Sequence, residues 1–191
     1  MTTPPKTTPD PAFLGTVATP AGDATFAVDA DGALVGLQFL EGHYSRPLAD
    51  DLAREGFDPA ADDARTAAVY RAIEAYGRGD LRDFDLPVAV ELGTTWQGTV
   101  WRGLQAIPFG EVRTYAGLAM AIGRPTAVRA VARANATNRV PLVVPCHRVI
   151  GTDGTLTGFG GGLHLKARLL DHERRVLGLP EAWTAFHEDR G

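Results

Sequence analysis

A single cysteine serves all 191 residues of this chain, and that limits what can hold a fold together. One thiol cannot close an intrachain disulfide, which suits a reducing compartment, the cytoplasm. Nor can it supply a cysteine-rich zinc site. The chain must therefore stand on a hydrophobic core. Its apolar share of 45% and charged share of 22% are ordinary for a globular protein of one large domain or two small ones. No apolar run approaches the ~20 residues of a membrane span. Met1 to Pro11 is rich in Thr and Pro with no apolar centre, so it reads as a disordered tail rather than a secretory signal.

Apolar spacing differs between the two halves. Over residues 12–41 it is strand-like: Ala24 to Val28 and Leu34 to Leu40 are β-type runs, and Asp29-Ala30-Asp31-Gly32 between them has turn chemistry. Residues 45–59 are polar and irregular, with room for one short helix. Thr66 to Tyr76 carries Val69, Tyr70, Ile73 and Tyr76 at helical spacing, and Gly77 follows as a stop. Asp80 to Val90 reads as extended, interrupted by Pro87. These features predict a small α/β domain over residues 12–91 with no catalytic constellation. His43, its one histidine, reads as a surface residue.

Beyond residue 92 helices dominate. Thr94 or Thr95 caps a helix carrying Val100, Trp101, Leu104 and Ile107 on one face, broken by Pro108-Phe109-Gly110. Thr114 caps a short helix from Tyr115 to Ile122. After the Gly123-Arg124 turn, Pro125 begins a second helix to about Ala136. Two short helices joined by a glycine turn match a helix-turn-helix unit. Arg129 and Arg133, four apart, share a face of an alanine-rich helix. Charge agrees with that reading. Residues 1–91 carry 7 Lys/Arg against 16 Asp/Glu, whereas residues 92–180 carry 11 against 4. A basic half beside an acidic one points to a polyanion meeting only the second half. A solvated basic surface without a partner accounts for the charge equally well.

The cysteine lies in Val143-Val144-Pro145-Cys146-His147-Arg148-Val149-Ile150. The apolar run before it reads as a buried strand ended by Pro145, with Cys146 facing a pocket from the strand end. A thiol attacks as thiolate, and neighbouring His147 and Arg148 are groups that lower its pKa or take its proton. The competing reading is a small buried hydrophobe. Gly158-Phe159-Gly160-Gly161-Gly162-Leu163 is not a phosphate loop, since no Gly-Lys-Ser/Thr follows. Its glycines allow close backbone approach to a ligand, with Phe159 as a stacking wall. A helix from His164 to Val176 places Leu165, Leu169, Leu170 and Glu173 on one side and leaves His172 exposed. A carboxylate on an apolar face needs a partner, and histidine is the obvious one.

Taken together, Pro145-Cys146-His147-Arg148-Val149-Ile150-Gly151, the segment Gly93 to Gly123, Arg129-Ala130-Val131, Asn138, the Phe159 glycine loop and Lys166 through His172-Glu173 resemble the O6-alkylguanine-DNA alkyltransferases. The resemblance is continuous over about residues 92–178. It implies an α+β protein: an N-terminal α/β domain with a β-sheet (12–91), a mainly helical DNA-binding and alkyl-transfer domain (92–180) with a helix-turn-helix and the active cysteine, and a C-terminal tail (181–191). It implies irreversible, single-turnover transfer of an alkyl group from guanine O6 to Cys146, with O4-alkylthymine as a further substrate. Glu173 would orient His147, which takes the thiol proton through a water. Tyr115 would donate at the base and Asn138 would support the active-site turn. The base must be flipped out, and Arg129 would fill the vacated stack. Ala127, Arg133, Thr114, Tyr115 and Arg148 would also meet DNA. Pro141, Val149, Phe159, Gly160, Gly161 and Lys166 would form the substrate pocket.

The resemblance further implies a monomer that binds double-stranded DNA containing O6-alkylguanine, without cofactor or metal. Three departures stand out. Arg139 replaces the usual proline after Asn138, which predicts a looser and more basic turn. Phe159 stands where tyrosine is common, and Gly160 replaces a hydroxyl residue of some members. Three other readings compete. A damage-sensing relative that binds without transfer would lack the cysteine. A thiol hydrolase would leave the arginine helix unexplained. A helix-turn-helix regulator with an inert thiol would show sequence-specific operator binding.

Overall fold

A computed structural model describes residues 9–89 and 92–184; the N-terminal tail expected over 1–11 and the last seven residues lie largely or wholly outside them. Strand β1 (Asp10–Thr19) starts inside that expected tail and forms a tight hairpin with β2 (Gly22–Asp29). β3 (Leu34–Phe39) adds antiparallel to β2, with the connection held by Asp29 Oδ1, which accepts from the amides of Asp31 at 3.0 Å and Ala33 at 2.9 Å. Residues 45–59 hold more structure than their polarity suggests. Helix α1 (Leu48–Arg54) buries Leu48 and Leu52, and β4 (Phe57–Ala61) pairs parallel to β1, giving the sheet order β3-β2-β1-β4. Pro59 is tolerated because β4 is an edge strand.

Helix α2 (Asp63–Arg78) packs on β1 and runs through Gly77. Its stop is Gly79, which takes the left-handed C-cap conformation at φ 81° that side chains resist. The segment read as extended over 80–90 contains little strand; Val88 makes a lone bridge to Leu34, and Val90 lies outside the described residues.

The second half is helical, as expected. In α3 (Thr95–Gln105), Thr94 Oγ1 accepts from the Gln97 amide at 3.2 Å while Gln97 Oε1 accepts from the Thr94 amide at 2.8 Å. Such a reciprocal cap is worth about 1 kcal/mol. After β5 (Arg113–Thr114) comes α4 (Tyr115–Ala121), capped by Thr114. Then α5 spans Val128–Ala136. Pro125 does not start α5; it lies in the connecting turn, and Ala127 is the N-cap. Two indole donors fix α5 to α3: Trp96 to the Ala130 carbonyl at 3.2 Å and Trp101 to the Ala134 carbonyl at 3.0 Å. One apolar cluster runs through both halves, from Phe26, Phe39 and Tyr76 to Trp101, Leu118 and Val131. Burying side chains of this size contributes about 1.5–3 kcal/mol each. Among the described residues no helix is long and apolar enough to cross a membrane.

Candidate active site

The apolar run before Cys146 is buried but is not a strand. Pro141 and Pro145 lack amide donors, and Leu142 takes φ 78°, so Pro141–Val144 folds as a turn. Pro145, at φ −80° and ψ 63°, makes a γ-turn in which the Cys146 amide donates to the Val144 carbonyl at 2.7 Å. A short 3₁₀ turn (Cys146–Arg148) then leads into β6 (Val149–Ile150), which pairs with β5. Asn138 clamps this turn from both sides: its Nδ2 donates to the Val144 carbonyl at 2.8 Å and its Oδ1 accepts from the Val140 amide at 3.1 Å.

Behind the turn, α6 (Leu163–Val176) presents Glu173 with no solvent exposure. Its Oε1 accepts from the Tyr76 hydroxyl at 2.9 Å, sits 2.8 Å from His147 Nε2 and 2.9 Å from an Arg148 terminal nitrogen. Its Oε2 accepts from the Gly110 amide at 2.8 Å. Burial would raise the Glu173 pKa, but His147, Arg148 and these bonds hold it down to about 2. Burial lowers the His147 pKa and so favours the neutral ring, against the pull of Glu173. Arg148 adds a permanent positive charge against the same carboxylate. Against a carboxylate, Nε2 must carry the hydrogen, which leaves Nδ1 as a bare lone pair. That Nδ1 is buried and has no hydrogen-bond partner.

Four sequence expectations change here. Arg148, expected on DNA, is only 3% exposed and is spent on Glu173 and the Ile107 carbonyl at 2.6 Å. It therefore does not lower the Cys146 pKa. Burial instead pushes that thiol up to about 11, with Asn138 and Lys166 pulling weakly against it, so it rests protonated. His172 is buried rather than exposed, its ring Nε2–H donating to the Tyr76 carbonyl at 3.0 Å. Within the C-terminal tail expected from 181, residues 182–184 are tied down: the amides of Ala182, Trp183 and Thr184 donate to buried Asp171 at 2.7, 3.0 and 2.7 Å.

Cys146 opens on a cavity of about 450 Å³ between the halves. Pro141, Gly160 and Gly161 line it together with His43 and Tyr44 from the first half. Val149 and Lys166 do not. Val149 is fully buried behind the thiol. Lys166, also fully buried, donates to the Val149 carbonyl at 2.5 Å and the Thr157 carbonyl at 2.6 Å, tying β6 to the glycine loop. Burial lowers its pKa to about 8. Phe159 packs against Phe39, ring centroids 6.1 Å apart, rather than facing the cavity. Arg139 does not loosen its turn. It forms a two-pronged pair with Glu55, one prong at 2.9 Å, and its carbonyl accepts from the Leu37 amide at 2.8 Å.

On the outer face Arg129 and Arg133 project from α5 into solvent, with Ala127 half-buried at its start. Thr114 Oγ1 is occupied by the Gly117 amide at 3.0 Å. The half-buried Tyr115 hydroxyl lies 3.4 Å from the Thr157 and Gly158 carbonyls. A Cβ at Gly158 would meet that hydroxyl at 2.7 Å, so glycine is required for this approach.

Two site residues escaped the sequence reading. Tyr76 was placed only as an apolar helix face, although a buried tyrosine hydroxyl calls for a partner. The Gly110 amide carries no side-chain signal at all.

A family model described as the 6-O-methylguanine DNA methyltransferase DNA-binding domain matches residues 95–175. A methylated-DNA–protein-cysteine methyltransferase from Mycobacterium bovis is 38% identical over 159 residues, 83% of this chain and 90% of that protein. The chain belongs to this family. Another methylated-DNA–protein-cysteine methyltransferase, from Methanosarcina barkeri, is 50% identical over 107 residues; the match spans 56% of this chain and about two thirds (67%) of that one. The crystal structure of Mycobacterium tuberculosis OGT in complex with DNA has a TM-score of 0.74 at 36% identity, covering 92% of this chain and 99% of that chain. The methyltransferase fold thus extends over both halves, including the N-terminal sheet.

Proposed function

We propose that this methyltransferase repairs DNA by moving an alkyl group from guanine O6 onto Cys146, once per molecule. The observation that carries the reading is a buried thiol on the cavity wall followed directly by a buried histidine. One ring nitrogen of that histidine, Nε2, is fixed by Glu173 and the other, Nδ1, is left without a partner. This is a nucleophile, base and orienter in series.

As substrate enters, His147 Nδ1 takes the thiol proton, directly or through one water. Sγ attacks the alkyl carbon, the S–C bond forms and the C–O6 bond breaks. The bonding pair returns to the purine, which recovers a proton through a donor such as Tyr115. The thioether has no leaving group that water could displace, so the thiol is not regenerated. Thymine alkylated at O4 presents the same C–O bond and is a second substrate in this reading. No cofactor is required, and one copy of the chain holds every group named.

The target base is extruded into the cavity. Arg129 and Arg133 on α5 face the duplex, with Arg129 entering the vacated stack. Phosphate contacts then make binding fall with salt. A relative of this fold solved in complex with DNA supports DNA as the partner.

The test mixes the protein with an equimolar O6-methylguanine duplex and examines the peptides by mass spectrometry. One methyl on the Cys146 peptide, never exceeding one equivalent, is the expected result. Tight binding of the damaged duplex without an adduct would replace transfer with damage sensing. Arg129→Ala should slow duplex repair about tenfold or more while sparing reaction with free O6-benzylguanine; equal losses would remove Arg129 from the flipping step.

A further inference from the structure

Among the described residues three buried side-chain atoms have no hydrogen-bond partner: His147 Nδ1, Asn135 Oδ1 and the Tyr44 hydroxyl. His147 Nδ1 is the base of the reaction above. Tyr44 comes from the other half of the chain, in the loop after β3, and has no part in that reaction. Its ring packs on the shared core and lines the Cys146 cavity.

The opposite wall supplies no hydroxyl. Phe159 is turned onto Phe39, and Gly160 and Gly161 have no side chains. A Cβ built at Gly160 would touch only Tyr44 Cε1, at 3.9 Å, so the phenol ring sits directly over that glycine. Buried polar groups are almost always satisfied, and an exception in a cavity calls for a partner that arrives from outside.

We propose that Tyr44 is a substrate-contacting specificity residue, whose hydroxyl donates a hydrogen bond to the alkylated base once it occupies the Cys146 cavity. The inference rests on the transfer reading above. Guanine presents acceptors, O6 and N7, along the edge that carries the alkyl group. The group beside the thiol must therefore be a donor, and a phenol that keeps its proton is one. Burial pushes the Tyr44 pKa up to about 12, partly offset by the Phe39 backbone and raised further by Cys146, so the proton stays. As the C–O6 bond breaks, negative charge grows on the purine and the same bond strengthens. Tyr44 thus acts on the rate of transfer and on the fit of the base, not on duplex affinity.

Tyr44→Phe is compared with wild type in four measurements: rate of Cys146 alkylation by an O6-methylguanine duplex, rate with free O6-benzylguanine, duplex Kd and Tm. Both rates should fall about three- to tenfold, the loss of one hydrogen bond. Kd and Tm should both hold. Gly160→Ser in the Tyr44→Phe background should recover rate, since a serine there has room and restores a hydroxyl to the same space. Unchanged rates in Tyr44→Phe would overturn the proposal alone. A rate loss that follows a fallen Tm without rescue by Gly160→Ser would also overturn it, as packing. A wild-type protein that forms no Cys146 adduct would overturn the transfer reading and this inference with it.

Discussion

Two polar regions meet at His147, and they are built on opposite rules. Around Glu173 everything is satisfied: Tyr76, His147, Arg148 and the Gly110 amide all converge on one carboxylate with no solvent exposure. Around Cys146 the reverse holds: Tyr44 and Asn135, each with a buried atom that has no partner, line the cavity on which the thiol opens. His147 shares both characters, with Nε2 held by Glu173 and Nδ1 left without a partner. The contrast separates support from chemistry. A saturated network in low dielectric is rigid and holds the imidazole in one tautomer. Groups left open beside the thiol cost stability in the empty protein and gain their partners only from substrate and transferred proton.

The largest expected effect falls on the open side. Cys146→Ala should abolish alkyl transfer completely while duplex binding, measured by titration, stays within about twofold, since the outer face of α5 is untouched. Loss of binding as well would make the thiol a structural group. On the saturated side, Glu173→Ala strands Arg148 in the interior, where it is only 3% exposed. Removing one partner of a buried pair costs about 3–5 kcal/mol. Urea denaturation should show that loss, along with failed transfer because His147 loses its orienter. A change below about 1 kcal/mol would erase the distinction between the two regions.

Much of the open region was legible in the sequence, because its chemistry sits in one short run. Cys146, His147 and the need of Glu173 for a histidine partner all follow from residue type and spacing. The saturated region was less legible because its donors come from distant segments. Tyr76 and Gly110 reach Glu173 only after α2 and the loop following α3 pack together. Arg148 was misread because an arginine beside a basic face looks like a phosphate ligand until its burial is known. The apolar run ending at Val144 looked like a strand because periodicity cannot distinguish a buried strand from a buried turn. Leu142 at φ 78° decides for the turn. His172 and Lys166 were similarly hidden: α6 is covered on more than one side, by Tyr76 of α2 and by residues 182–184.

Acid offers a next, somewhat smaller test. Glu173 titrates near 2 in the folded protein against about 4.3 in an unfolded chain. Its folded pKa is depressed, so its contribution is complete above the unfolded value and is lost as pH falls through the folded one. The loss is on the order of 3 kcal/mol between about pH 5 and 2. His147 and His172 are depressed too, by burial. An unfolded chain therefore takes up their protons first, and stability starts to decline below about pH 6.5. Denaturation midpoints should fall in two stages, the first at histidine pH and the second at carboxylate pH. Glu173→Gln should shrink the second stage to the part owed to Asp171, whose pKa is lowered against its burial by bonds from Ala182 and Thr184, and should keep the first. A midpoint flat from pH 7 to about 4 would mean that both imidazoles take protons without cost.

The smallest effect sharpens the comparison by keeping the chemistry and changing only the burial. Arg139 and Glu55 form the same kind of two-pronged pair as Arg148 and Glu173, on the rim of the same cavity. Here the side chains are 26% and 40% exposed. Water screens the attraction and also takes up the slack when one partner is removed, so Arg139→Ala should cost no more than about 1 kcal/mol. A double-mutant cycle with Glu55→Gln should return a coupling of about 0.5 kcal/mol that shrinks in high salt. The corresponding cycle at Arg148 and Glu173 should be several times larger and nearly insensitive to salt. Equal couplings would mean that burial does not set the strength of these pairs. The saturated cluster would then owe its rigidity to the backbone of α6 rather than to the charges it encloses.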